Sequence, residues 1–317
     1  MTGYFLRRLL WIIPILFLVT LITFGLMHAV KGGPFEAGEG RSSDVARQAL
    51  SKKYHLDEPV WKQYGYYMEG LLQGDLGPDL QQRGNSVNDI LKQTYRPTVE
   101  LGILTTLYAT VLGIGLGILA ATKRNTIVDY FSVGFATLGA STPNFVLGIM
   151  LVLLFAVKFK FFPATGWSSS PLLESFDLTS WKYVVLPVIS LGSLPAAYIA
   201  RITRASMLDV MHQDYVRTAR AKGLRERMIV MRHIVRNALI PVLTLIGPIA
   251  AGLLTGSFVI EYFFSIPGIG RAYVQAILGR DYPLIMATTL LYAFVVVIAN
   301  LLVDFLYAVV DPRIRYS

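Results

Sequence analysis

The sequence predicts an all-α integral membrane protein of six transmembrane helices, with both termini in the cytoplasm and a small extracytoplasmic subdomain between the first two helices. Three observations lead there. Of 317 residues, 54% are hydrophobic and only 15% are charged, against about 25% in soluble domains. Six apolar stretches, residues 9–30, 101–122, 133–157, 183–200, 238–260 and 284–303, reach or approach the roughly 20 residues that cross a bilayer as a helix. The excess positive charge also falls in segments that a six-span topology places on one side.

The first stretch follows Arg7 and Arg8 and is longer than the roughly 7–15 residues of a secretory signal. It ends in His28-Ala29-Val30-Lys31-Gly32-Gly33, without a good cleavage site, and reads as a retained helix. Residues 31–98 form the extracytoplasmic subdomain, and together with the first helix make an N-terminal unit, 1–98. Between Lys31 and Arg96, nine basic residues balance nine acidic ones, a neutrality that suits the outside. Helix-like stretches occur at 44–54 and 59–73, followed by the turn-rich Gly74-Asp75-Leu76-Gly77-Pro78-Asp79.

Residues 99–317 hold the other five stretches. Gly113, Gly115 and Gly117 resemble a glycine-rich loop, but their place in mid-span suits close helix packing better. The fourth stretch is the weakest, being short and holding Pro187 and Pro195, which kink a membrane helix without forbidding it. The loop 201–237 carries nine basic residues against Asp209, Asp214 and Glu226, so it supplies +6 of the chain's +9. This assigns the basic excess to cytoplasmic loops, not to nucleic-acid binding. The loop reads as two helices parted by Gly223, a helix C-cap. In the second, Arg225, Arg232 and Arg236 form a stripe. Met228, Ile229, Ile234, Val235 and Ala238 lie mainly on the other side, the pattern of a helix at the lipid surface.

Several chemistries are missing. No cysteine is present, so thiolate catalysis, disulfides and cysteine-held metals are excluded. No phosphate-binding G-x-x-x-x-G-K-[ST] loop occurs, and the four histidines form no H-E-x-x-H pair. Polar groups inside spans mark pathways or helix contacts; the candidates are Ser141, Thr142, Asn144, Thr255 and Asn300. Glu261 and Asp304 fall at span ends, where a charge costs little. A path without fixed charges fits a broad-specificity conduit better than an ion pump.

The loop reads Tyr215-Val216-Arg217-Thr218-Ala219-Arg220-Ala221-Lys222-Gly223-Leu224, then Asn237-Ala238-Leu239-Ile240-Pro241. Further on come Gly256-Ser257-Phe258-Val259-Ile260-Glu261, Pro267-Gly268-Ile269-Gly270 and the tail Tyr307-Ala308-Val309-Val310-Asp311-Pro312-Arg313. Leu6-Arg7-Arg8, Gly32-Gly33-Pro34-Phe35 and Lys53-Tyr54-His55-Leu56-Asp57 precede them. Over nearly its whole length the chain resembles the permeases of binding-protein-dependent ABC importers, in the peptide and nickel branch, and most of all the first permease of oligopeptide transporters. Thr218-Ala219-Arg220 stands where the wider family has Glu-Ala-Ala.

The resemblance implies a multi-pass protein of the bacterial inner membrane that forms half of a translocation pathway. Its implied partners are a second, homologous permease, two ATP-binding-cassette ATPase subunits and an extracytoplasmic peptide-binding protein. ATP and magnesium would sit on the ATPases, with no cofactor on this chain. A coupling helix at about 214–223 would dock in an ATPase groove, with Tyr215 and Thr218 in the motif. The small Ala219 and Ala221 would permit close approach, and Arg217, Arg220 and Lys222 would meet acidic groove residues. Gly223 would end the helix, and Glu261, Pro267, Gly268 and Gly270 would form an outer-face motif. A dipeptide, nickel or oligosaccharide permease shares these signatures. An intramembrane enzyme would need a catalytic constellation that the sequence lacks, and a self-sufficient channel would not need so long a basic loop.

Overall fold

The computed structural model describes residues 2–30, 52, 55–81, 85–167 and 178–310, and among these there is no strand beyond an isolated bridge between Pro78 and Ser86. The stretch 44–54, apart from Lys52, the Gly32–Phe35 motif and the tail from Asp311 lie outside the described residues. The helices are α1 (Thr2–Ala29), α2 (Val60–Leu72), α3 (Val87–Thr122), α4 (Ile127–Ser141), α5 (Asn144–Lys158), α6 (Leu178–Met211), α7 (Asp214–Ala221), α8 (Glu226–Leu254), α9 (Phe258–Phe263), α10 (Ile269–Gly279) and α11 (Tyr282–Val310). Within α5 and α8, the turns Val152–Lys158 and Ile229–Val235 widen to π-helical spacing. Five described helices are long and apolar enough to cross a membrane, and α4 with α5 makes a sixth if that bent pair counts as one span.

Two expected spans are divided differently. The stretch 133–157 is not one helix, because α4 and α5 meet at 107°. Pro143 disfavours helical backbone at the residue before it, and Thr142 is accordingly extended at φ −96°, ψ 125°. The stretch 238–260 also breaks. Helix α8 stops at Leu254, Gly256 turns the chain at φ +90°, and the Ser257 hydroxyl caps α9 by accepting from the Ile260 N–H. Helix α3 starts well before residue 101, capped by Ser86. Its 36 residues span about 54 Å at 1.5 Å each, so it projects beyond a hydrocarbon core of about 30 Å.

This long helix is the spine. Its middle packs on α6, where a Cβ on Gly113 would lie 2.7 Å from both the Ala196 carbonyl and Ile199, and one on Gly117 would collide with Thr203. Gly115 faces open space. Leu101 and Leu104 of α3 join Val184, Leu186, Val188 and Leu191 of α6, Leu253 of α8, and Ile260, Phe264 and Ile266 in one core. The far end of α3 meets the α7 region, where Ala121 packs with Met207, Val216 and Ile229. An ion pair reinforces the helix layers there: Arg204 of α6 donates twice, at 2.9 Å, to Asp129 of α4. At the other end, α1 packs on α2 and α11 through Phe24, Met27, Tyr64 and Ile285.

Large apolar side chains stay exposed on α1 and α4, among them Trp11, Ile13, Ile127, Phe131 and Leu138. That is the outward dress of helices meeting lipid. The glycine contacts give a paired expectation. Gly117→Ala should push α3 from α6 and destabilise the protein by about 1–3 kcal/mol, as overpacking does, while Gly115→Ala should be neutral or mildly stabilising. Thermal unfolding of the two variants in detergent checks this.

Candidate functional site

The stretch expected as a basic loop from 201 to 237 is divided differently: residues 201–211 continue α6 beyond the expected span end at 200, and α7 and the start of α8 follow, parted by Gly223. Their helix faces are also divided in a way the sequence did not show. Helix α7 starts with Asp214 and ends with Arg220 in its last turn, both favourable for the helix dipole. Gly223 follows in the left-handed region at φ +73°, its N–H donating to the Arg220 carbonyl at 2.9 Å. Val216 and Ala219 point inward and are buried against Met207, Ile229, Ile234 and Val235. Tyr215, Arg217, Thr218, Ala221 and Lys222 point outward and are exposed. So of the two small alanines only Ala221 is available to a partner; Ala219 is small because α7 lies close to its own bundle.

Arg220 is also committed within the chain. Its guanidinium makes two bonds to the Glu226 carboxylate, at 2.7 and 3.2 Å, and so clips α7 to the start of α8. Tyr215 accepts from the Asn237 amide at 2.9 Å, a second clip about three turns further along α8. Arg217 has only a loose, exposed contact with Asp214 at 3.6 Å. The start of α8 is no lipid-surface helix with its apolar side in the bilayer: Ile229, Ile234, Val235 and Ala238 are buried in the bundle, while Arg225, Arg232 and Arg236 face outward.

The Glu261 motif lies at the opposite end of the bundle, and there the structure corrects an expectation. Glu261 is not a cheap charge at a span end; it has no exposed surface. Burying an ionised carboxylate is tolerable only when hydrogen bonds replace its water. Gly270 N–H donates to Oε2 at 2.7 Å, Arg271 N–H to the same oxygen at 3.3 Å, and the Thr98 hydroxyl to Oε1 at 3.1 Å. Thr98 in turn accepts from the Ile269 N–H at 2.9 Å. Burial still pushes the Glu261 carboxyl up to about 7, with these bonds pulling the other way. The Glu261 knot thus joins α3, α9 and the first turn of α10.

The motif glycines leave room for this carboxylate, and Gly270 also for the Phe258 backbone, 2.9 Å from where its Cβ would stand. A Cβ on Gly256 would come within 2.6 Å of Glu261, one on Gly270 within 3.0 Å, and one on Gly268 would strike both Glu261 and Thr98. Pro267 is the exposed member of the motif. The five polar candidates sit on different elements, with Thr142 in the break between α4 and α5. Ser141 and Asn144 flank the break between α4 and α5, where the Asn144 carbonyl accepts from Ser190 at 2.6 Å. Thr255 is buried at the end of α8 and bonds back to the Gly252 carbonyl, and Asn300 is exposed on α11. Among the described residues no group of three or more His, Cys, Asp or Glu side chains could hold a metal ion.

Sequence reading missed Thr98, which stands 163 positions from Glu261 and carries no local signal. It also missed Asp281, a fully buried residue that caps α11 by accepting from Leu284 at 3.0 Å and holds the Leu80 N–H at 2.7 Å.

Comparison with known proteins identifies the class. Residues 113–316 match the family model of the binding-protein-dependent transport system inner membrane component, and residues 1–100 match that of its N-terminal region. The chain belongs to this family of ABC transporter permeases, and is a multi-pass component of the inner membrane. It is 41% identical over 315 residues to the dipeptide transport system permease protein DppB of Bacillus subtilis, covering 99% of this chain and 98% of that one. It is 40% identical over 316 residues to the oligopeptide transport system permease protein OppB of Haemophilus influenzae, covering 100% of both. Among solved structures, an inward-facing form of the methionine ABC transporter MetNI superposes with a TM-score of 0.51 at 16% identity, over 70% of this chain and 96% of that one, which places the fold.

The knot yields a controlled comparison. Gly268→Ala drives a methyl group into Glu261 and Thr98, whereas Gly252→Ala meets nothing within 4 Å. The first should cost about 1–3 kcal/mol and the second should cost nothing, measured as thermal unfolding of the purified protein.

Proposed function

We propose that this chain is one of two permease subunits in a peptide importer, and that α7 is the surface through which separate ATPase subunits drive it. The observation that carries this reading is the two-sided build of α7. One side is sealed into the bundle by Val216 and Ala219, and the other presents Tyr215, Arg217, Thr218, Ala221 and Lys222 to solvent. A short helix fixed on one side and bare on the other can transmit a push, because the Arg220–Glu226 and Tyr215–Asn237 clips carry it into α8. The positive outer face suits an acidic groove, with Arg217 and Lys222 as its cations. On this reading α7 faces the cytoplasm, ATP and magnesium belong to the partner subunits, and an extracytoplasmic binding protein delivers substrate to the opposite end.

Peptides are the substrate class that the named relatives support, and the oligopeptide permeases match over the full length of both chains. Dipeptides are the second reading, favoured by the relative from Bacillus subtilis. Uptake of di-, tri- and pentapeptides by the assembled transporter separates the two: transport of the longer peptides is expected, and transport of dipeptides alone would select the second.

Coupling is tested on the exposed face. Thr218→Trp adds bulk where a groove wall would lie, without touching the buried face. Gly223→Val forces a β-branched residue into left-handed backbone, which misdirects the chain after α7. Both variants should reach the membrane at normal abundance and lose uptake and substrate-stimulated ATP hydrolysis by about tenfold or more, equivalent to about 1.4 kcal/mol of coupling. Near-normal uptake by Thr218→Trp would show that α7 is not seated in a partner.

A further inference from the structure

At the end opposite α7, a cleft of about 290 Å³ opens between the start of α3, α10 and the start of α11. One wall is Pro267-Gly268, the backbone held in place by the Glu261 knot. Its polar lining has a particular chemistry. Gln93 of α3 and Gln275 of α10 present exposed side-chain amides, and the Thr94 hydroxyl and the Arg271 guanidinium are half-buried beside them. Arg271 and Gln275 are four residues apart on α10 and therefore neighbours on one face. Arg271 gives one bond to the Ser265 carbonyl at 2.9 Å, which fixes the side chain. A guanidinium has five N–H donors in a planar fork, so this bond leaves the capacity to clamp a carboxylate.

We propose that this cleft receives the C-terminal end of a peptide, with Arg271 holding the terminal carboxylate and Gln93, Thr94 and Gln275 the adjoining main-chain amides. The assignment rests on the peptide reading above and deepens it. A carboxamide both donates and accepts, so it pairs with a peptide group whatever the side chain beside it. Arginine is the residue whose geometry matches a carboxylate with two parallel bonds. At about 290 Å³ the cleft lies just under the usual range of ligand sites, about 300–1,000 Å³. That gives room for the last residue or two of a chain and not for a whole oligopeptide. Asp79 and Asp281, although they border the cleft, are buried beneath it and tied to backbone, with Asp281 held by the Leu80 and Leu284 N–H groups. They therefore do not offer a competing site for the peptide's ammonium end. A ligand on Pro267-Gly268 would also touch the segment that Glu261 anchors, which places peptide arrival next to the knot.

This chain has no native cysteine, so modification read on this chain by mass spectrometry reports the introduced thiol alone. Gln275→Cys, and Tyr95→Cys as an exposed control on α3 outside the cleft, are placed singly in the assembled transporter in lipid nanodiscs. The rate of modification by a small thiosulfonate is then measured with saturating trialanine or trialanine amide. Trialanine should slow modification at Gln275→Cys by about fivefold or more, corresponding to about 1 kcal/mol, and trialanine amide should slow it by less than about twofold. Tyr95→Cys should not respond to either. Adding Arg271→Gln should abolish the difference between acid and amide, and Arg271→Lys should retain part of it. Equal protection by acid and amide overturns the assignment, as does protection by the peptide-free binding protein alone, which would make the cleft a docking surface. Uptake of trialanine by the unaltered complex is measured in parallel. Normal uptake without protection sinks only the cleft, whereas absence of any peptide uptake sinks the peptide reading and the cleft with it.

Discussion

Glu261 occupies a point where three stretches of backbone meet, with no surface left for water. A carboxylate in that position must be supplied with hydrogen bonds or be expelled, and this requirement sets the shape of everything around it. The donors are the backbone N–H groups of Gly270 and Arg271 and the hydroxyl of Thr98, so α9, α10 and α3 hold a single relative placement. The neighbours must also give way, which is why Gly256, Gly268 and Gly270 lack side chains. Removing the carboxylate would leave its donors buried without acceptors, at about 1–3 kcal/mol each.

The chain ties the knot to the opposite end of the bundle. From Gly256 the chain runs back through the whole of α8 to the clips at Asn237 and Glu226, which hold α7. One covalent path of helices therefore joins the exposed face of α7 to the cleft beside Pro267. Two irregular turns lie along it. The π-helical turn Ile229–Val235 lies next to α7 and is backed by a buried core. The turn at Thr255-Gly256 lies next to the knot, and its glycine sits in left-handed backbone.

Much of this architecture was legible in the sequence. Apolar length found the helices, and Gly223 marked the end of α7 because a left-handed cap favours glycine. The failures have physical causes. A hydropathy window counts apolar residues and is blind to direction, so it ran through Pro143 and Gly256, where the chain turns sharply without becoming polar. Ala219 was read as a partner contact because a small residue signals closeness but not which neighbour is close. Glu261 was misjudged for a similar reason: its position between an apolar run and a glycine-rich turn resembles a water boundary, and only the fold shows the turn wrapped around the carboxylate. Thr98 could not have been found locally, since its importance exists only once α3 lies beside α10.

Glu261 is the anchor of the segment between α8 and α11. Hydrogen exchange of the assembled transporter, followed by mass spectrometry, reads this peptide by peptide. Glu261→Ala should raise exchange in residues 256–272 by about tenfold or more, the equivalent of about 1.4 kcal/mol of lost local stability, while residues 214–223 of the α7 region keep their wild-type rates. Unchanged exchange across 256–272 in that variant would contradict the claim that this carboxylate holds the far end of the protein together.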